Sequence, residues 1–170
     1  MTQTLFAISL VLLATLSRLL PHAPNFTPII AIAMFSAAYF SRKEWGLVIP
    51  FAAMLLSDFW LGFHGSTLYV YGSFLLISLL SYSLKSSRKF YMIGGLGFIH
   101  SVLFYLITNF SVWISGDLYP LTLRGLGACY AMAIQFFKNT LASTWGYSLI
   151  LFALMEVLSY LPKKQISASR

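Results

Sequence analysis

Six apolar runs divide the chain, at roughly 4–20, 27–41, 45–62, 67–84, 90–113 and 141–161. Short breaks rich in proline, glycine or charge separate them. The runs are continuous rather than alternating, which predicts helices and argues against a lipid-facing barrel. Crossing a bilayer takes about 20 residues at 1.5 Å each. The second run is short for that, so it either tucks among its neighbours or extends past its visible ends. Thr27 and Pro28 are a good start for it, a capping hydroxyl followed by proline in the first turn.

Composition agrees with this pattern. Of 170 residues, 59% are hydrophobic, 17% aromatic and 9% charged. A soluble domain is about a quarter charged. The expected fold is therefore an all-α integral membrane protein, a single domain over residues 1–170 with six transmembrane helices. The first run has no Lys or Arg before it and reads as a retained helix rather than a signal peptide. The lone Cys129 forms no internal disulfide and no thiol cluster.

Basic residues set an orientation. Arg42, Lys43, Lys85, Arg88, Lys89, Lys163, Lys164 and Arg170 fall in one set of loops, and Arg18, Arg124 and Lys138 in the other. Eight against three puts the first set, with both termini, in the cytoplasm of a cell whose inner membrane holds the chain. The net charge of +7 is then mostly this topological signature and calls for no nucleic acid.

Three outer loops follow: "LPHAPNFTPI" from Leu20, "GFHGST" from Gly62, and a long segment from Ile114 to Thr140. The last is too apolar for a plain linker. Its stretch from Ala128 to Phe137 is expected to form a short helix on or in the outer half of the membrane.

Asp58 is the most informative residue. A carboxylate inside an apolar helix costs free energy unless compensated. One reading is a structural contact to Arg18 or a helix N-terminus. The other is a pocket-lining group. His22 and Asn25 sit among Pro21, Pro24 and Pro28, which stiffen their loop. They are either held at a cavity mouth or part of a rigid turn. His64 follows the third helix, and with His22 and Asp58 converges on the outer face. No metal-binding spacing supports a protein-only metal site. His100, in the fifth helix, reads as a satisfied interhelical hydrogen-bond donor.

Aromatics crowd the same half: Trp60, Tyr69, Tyr71, Trp113, Tyr119 and Tyr130. Most suit an interfacial belt, and some could stack on a ligand. Asn109, Gln135 and Asn139 suit a neutral polar organic solute better than an inorganic ion. "NFT" and "NFS" at Asn25 and Asn109 match a glycosylation pattern too short to carry weight. Ala33, Ala37 and Ala38 allow close helix approach, inside the fold or against a partner. No catalytic motif and no nucleotide-binding loop is present, so no enzyme activity and no cofactor is expected.

The blocks "RLLPHAPNFTPIIAIAMFSAAYF" and "PFAAMLLSDFWLGFH" resemble the small membrane family allied to the substrate-binding S components of energy-coupling-factor transporters. "FYLITNFSVWISGDLYP" and "GLGACYAMAIQFFKNTL" extend the resemblance over nearly the whole chain. It implies an S-component-like bundle with cytoplasmic termini. An outward pocket for a vitamin-like micronutrient would be capped by the loops after helices one, three and five. It also implies docking onto a membrane scaffold with two ATPases, although some S components act alone. Within the S components the resemblance is greatest to the cobalamin-binding BtuM-like group, which carries His22 and Asp58 over as pocket residues. Solitary members of that group ligate cobalt through a cysteine near the start of the fourth helix. Here that region reads "TLYVYGSF", which leaves His22 or His64 as the possible cobalt ligand. The expected substrate-binding set is His22, Asn25, Asp58, His64, Tyr69, Tyr71, Asn109, Trp113, Tyr119 and Asn139. The rival readings are a scaffold or assembly subunit without ligand, and an intramembrane enzyme using Asp58 with His22 or His64.

Overall fold

The computed structural model describes the backbone of residues 3–168 and side chains as far as Ser159. The side chains of Lys163 and Lys164, and all of Arg170, which entered the charge argument, lie outside the described residues. Helices run over Gln3–Leu19 (α1), Ile29–Tyr39 (α2), Trp45–Leu61 (α3), Thr67–Ser81 (α4), Phe90–Ile114 (α5), Leu123–Met132 (α6) and Ile134–Ala168 (α7), with a 3-10 turn over Tyr82–Lys85. No strand occurs among the described residues.

Three segments are long and apolar enough to cross a membrane: Thr67–Lys85, Phe90–Ile114 and Ile134–Ser159. The other three apolar helices, α1, α2 and α3, have 17, 11 and 17 residues.

The short second helix is tucked in. Every residue of α2 from Ile29 to Ala38 is buried, and α3, α4, α5, α7 and the 3-10 turn all pack against it. A helix apolar on every side belongs in a core. Phe35 holds the centre, its ring 5.7 Å from Phe6, 4.7 Å from Tyr39 and 5.5 Å from Phe152. Ala33, Ala37 and Ala38 are all buried by the chain's own helices. At Gly46 of α3, a Cβ would stand 3.1 Å from the Ala37 Cα, so the glycine permits the close crossing of α2 and α3.

The start of α2 differs from expectation. Pro28, with φ −79° and ψ 1°, occupies the N-cap position, and no side chain caps the helix. Proline fixes the entry one residue later than foreseen, so the Thr27 hydroxyl is released for another use.

The long segment after α5 also departs from expectation. Its helix begins earlier, at Leu123, and ends at Met132; the last long helix then starts at Ile134 rather than near residue 141. Thr122 caps α6, its hydroxyl accepting from Gly125 N at 3.1 Å. Tyr130 donates to Leu106 O at 2.8 Å and Tyr105 to Tyr130 O at 2.6 Å. These bonds lay α6 along the last turns of α5.

Candidate functional site

One end of the bundle brings together the α1–α2 loop, the α3–α4 loop and the C-terminal half of α5. A cavity of about 460 Å³ opens there. Apolar residues, among them Ile30, Phe74, Phe104 and Phe136, form its inner walls. Arg18, His22, Asn25, Thr27, His64, Ser66, Thr108, Asn109 and Thr140 supply its polar groups.

Four of the ten expected binding residues line this cavity: His22, Asn25, His64 and Asn109. His22 and His64 come from different loops and share only the cavity's rim. Among the described residues, no group of three or more His, Cys, Asp or Glu is placed to hold a metal ion.

Asp58 stands behind the wall. It is buried, and its Oδ1 lies 2.7 Å from Arg18 Nη2. Tyr71 donates to Asp58 Oδ2 at 2.8 Å. Asp58 and Tyr71 therefore form a strut, and Arg18 is the member of the trio that reaches the cavity. Arg18 Nη1 is also held, by Ser57 Oγ and by Met54 Sδ at 3.1 Å. Arg18 was absent from the expected set. Its signal was present as a lone cation at the end of one apolar helix, at the same end of the bundle as a lone carboxylate in another.

The other expected residues stand off the cavity, and of these Asn139 braces it. Asn139 Nδ2 donates to Pro24 O at 2.9 Å, tying α7 to the proline-rich loop. Trp113 Nε1 donates to Pro120 O at 3.1 Å. Tyr119 lies half-buried in the loop between α5 and α6, and Tyr69 is half-buried on α4; neither lines the cavity.

The proline-rich loop is sharply turned. Phe26 N bonds to Ala23 O at 2.9 Å, and Asn25 takes φ 61°. Asparagine tolerates that left-handed conformation better than most residues. Asn25 thus suits the loop's backbone as well as presenting its side chain.

Hydrogen bonding gives the cavity a definite character. Thr108 donates to Phe104 O at 2.7 Å and Thr140 to Phe136 O at 2.9 Å. Asn109 donates through Nδ2 to Tyr105 O at 2.8 Å. His22 Nδ1 lies 2.7 Å from Leu20 O. A carbonyl only accepts, so Nδ1 carries a proton, and in the neutral ring Nε2 is the acceptor. The Thr108 and Thr140 hydroxyls have a single hydrogen each, already committed, and offer lone pairs to the cavity. With Arg18 neutralised by Asp58, the lining is rich in acceptors.

The chain belongs to DUF6580, a family of unknown function, whose model matches residues 1–167. No curated protein and no solved structure matches it.

Two further residues complete the picture. Cys129 is buried, with Sγ 3.4 Å from Asn109 O. Burial pushes its thiol above the usual range, which disfavours the thiolate that ligates metals. His100 is fully buried, and neither ring nitrogen has a hydrogen-bond partner among the described residues. This corrects the expectation of a satisfied donor. Ser101, its chain neighbour, instead donates back to Gly97 O at 2.8 Å.

Proposed function

We propose that this chain is a multi-pass protein of the cytoplasmic membrane that binds a compact organic solute at the outer face and serves its uptake. In this reading all six apolar helices lie in the bilayer, both termini are cytoplasmic, and the chain acts as the S component of an energy-coupling-factor transporter. A separate membrane scaffold with two ATPases supplies the energy, since the sequence contains no nucleotide-binding loop.

The observation that carries this reading is the acceptor-rich cavity. Its volume of about 460 Å³ falls within the range of small-molecule sites, about 300–1,000 Å³. Aromatic walls from Phe74, Phe104 and Phe136 suit a planar ring. Thr108, Asn109, Thr140 and the Nε2 of His22 suit N–H or ammonium groups on it. The best-supported solute is an amino-substituted or cationic ring, despite the arginine in the lining.

Cobalamin is a second reading, supported by His22. An imidazole whose Nδ1–H is held by a carbonyl presents Nε2 in the manner of a metal ligand. A corrinoid overfills the cavity, so this reading requires the capping loops to part.

The test is mass spectrometry of solutes retained by the purified protein, followed by binding of benzamidine, benzamide and benzoate, three probes sharing one ring. Uptake of an amino-bearing solute predicts benzamidine as the tightest of the three. Retention of a corrinoid selects the second reading. Retention of no solute, with none of the probes bound, refutes solute binding and favours an assembly subunit.

A further inference from the structure

A second concavity lies at the opposite end of the bundle, between α5 and α7, with Tyr39 of α2 at its rim. It encloses about 610 Å³ and is walled by Ile93, Leu149, Phe152 and Ala153. Gly94 and Gly146 keep it wide, since a Cβ on either would meet nothing within 4 Å. Trp145 Nε1 donates to Gly94 O at 3.0 Å and fixes the spacing of the two helices.

Three polar groups distinguish this groove from an ordinary apolar crevice. Arg88 stands over the Tyr39 ring, its Cζ 4.4 Å from the centroid. Glu156 shares the same rim, and among the described residues no ion pair joins it to Arg88. Deeper in, Ser148 is 2% exposed, and its Oγ has no hydrogen-bond partner.

We infer that this groove is a binding site for a phospholipid with a primary-amine zwitterionic headgroup. Arg88 receives the phosphate, and Glu156 pairs with the ammonium. The apolar wall takes an acyl chain. Ser148 lies eight residues before Glu156, about 12 Å along the helix. That is the depth at which the ester carbonyl of a lipid lying along α7 needs a donor.

The charge pattern selects this occupant over others. A purely anionic headgroup would set Glu156 against phosphate. A choline headgroup offers Glu156 no N–H. A transmembrane helix from a partner satisfies its own backbone, so its carbonyls leave the buried Ser148 hydroxyl without an acceptor.

The test is native mass spectrometry of the full chain in nanodiscs holding equal amounts of ethanolamine, choline and glycerol phospholipids with identical acyl chains. The expected result is one retained lipid, with the ethanolamine form at least fivefold over each of the others. Glu156→Gln is expected to abolish the preference over the glycerol form. Arg88→Gln is expected to lower retention of all three. Ser148→Ala is expected to weaken all three about threefold without changing their order. Equal retention, preference for the glycerol form, or no retained lipid overturns the proposal on the unaltered protein, whether or not any variant folds.

Discussion

Arg18 Nη2 and Asp58 Oδ1 stand 2.7 Å apart, joining α1 to α3 directly behind the cavity wall. The pair explains how one apolar chain tolerates both charges. Each compensates the other, and Tyr71 and Ser57 satisfy further valences. Of the two roles open to Asp58, the geometry matches the structural contact, since the carboxylate is turned toward Arg18.

Removing one partner leaves the other buried and unpaired, which costs about 3–5 kcal/mol for a fully buried pair. Arg18 keeps 17% of its side chain exposed, so the lower part of that range is expected for Asp58→Ala. Removing both charges in Arg18→Met/Asp58→Leu should cost much less than the sum of Arg18→Met and Asp58→Leu made singly. Thermal unfolding of the four proteins in one detergent measures this. Additive losses would mean that the two charges do not support each other.

The loop before α6 makes a sharper stability prediction. A Cβ on Gly125 would lie 2.0 Å from Pro120 O, a backbone atom. Neither group can swing aside, because Thr122 N also bonds to that carbonyl at 2.8 Å. Gly125→Ala should displace the cap and cost about 2–3 kcal/mol. Gly127→Ala, where a Cβ meets nothing within 4 Å, should be close to neutral. Equal melting temperatures for the two variants would contradict the close approach of Gly125 to Pro120.

Much of the helical layout was legible because apolar runs broken by Pro, Gly and charge leave little choice of element. The start of α2 was not, because Thr27 and Pro28 are each good starting residues and only the backbone shows which one takes the cap. The start of α7 was missed because "AMAIQFFKNT" is apolar enough for a surface helix and helical enough to continue a span. Of the expected binding residues, His22, Asn25 and His64, read from loop position, and Asn109, read from residue type, line the cavity. Arg18, Thr108 and Thr140 were missed, since hydroxyls and a lone basic residue at helix ends have ordinary explanations. Asn139 and Tyr71 were placed at the correct end of the bundle, but which way a side chain faces depends on helix rotation, which an almost uniformly apolar sequence encodes weakly.

Asn25 allows backbone and side-chain roles to be separated. Its φ of 61° costs an alanine about 1–2 kcal/mol and costs glycine little. Asn25→Ala should therefore lower the melting temperature, whereas Asn25→Gly should not. If the amide also contacts the solute, both variants should bind it more weakly to a similar degree. Equal stability of the two variants would remove the backbone requirement.

Orientation is tested by labelling. Single cysteines at Ser86 and Ser66, introduced with Cys129 replaced by serine, lie at opposite ends of the bundle. The distribution of Lys and Arg predicts that Ser86→Cys reacts only from the cytoplasm and Ser66→Cys only from outside. The opposite pattern would invert the membrane orientation and place the cavity on the wrong face for uptake.

The proline-rich loop yields the last prediction, through its tie to α7. His22 lines the cavity and in its neutral form offers Nε2 as an acceptor, whereas Asn139 reaches the loop through the Pro24 carbonyl at 2.9 Å. His22→Ala removes a specific acceptor. A lost hydrogen bond of about 0.5–1.5 kcal/mol corresponds to roughly twofold to tenfold in affinity. The loss should fall on analogues bearing an N–H opposite the imidazole and spare those without one. Pro24→Gly and Asn139→Ala leave every polar cavity group in place but loosen the loop that carries them. Each should weaken all analogues about equally, by about 1 kcal/mol of ordering cost. Their double variant should lose less than the two single losses combined, because both release the same segment. Titration of benzamidine, benzamide and benzoate against the parent and the four variants separates the cases. If Asn139→Ala reorders the series while His22→Ala scales it uniformly, the two roles are reversed: Asn139 contacts the solute and His22 holds the loop.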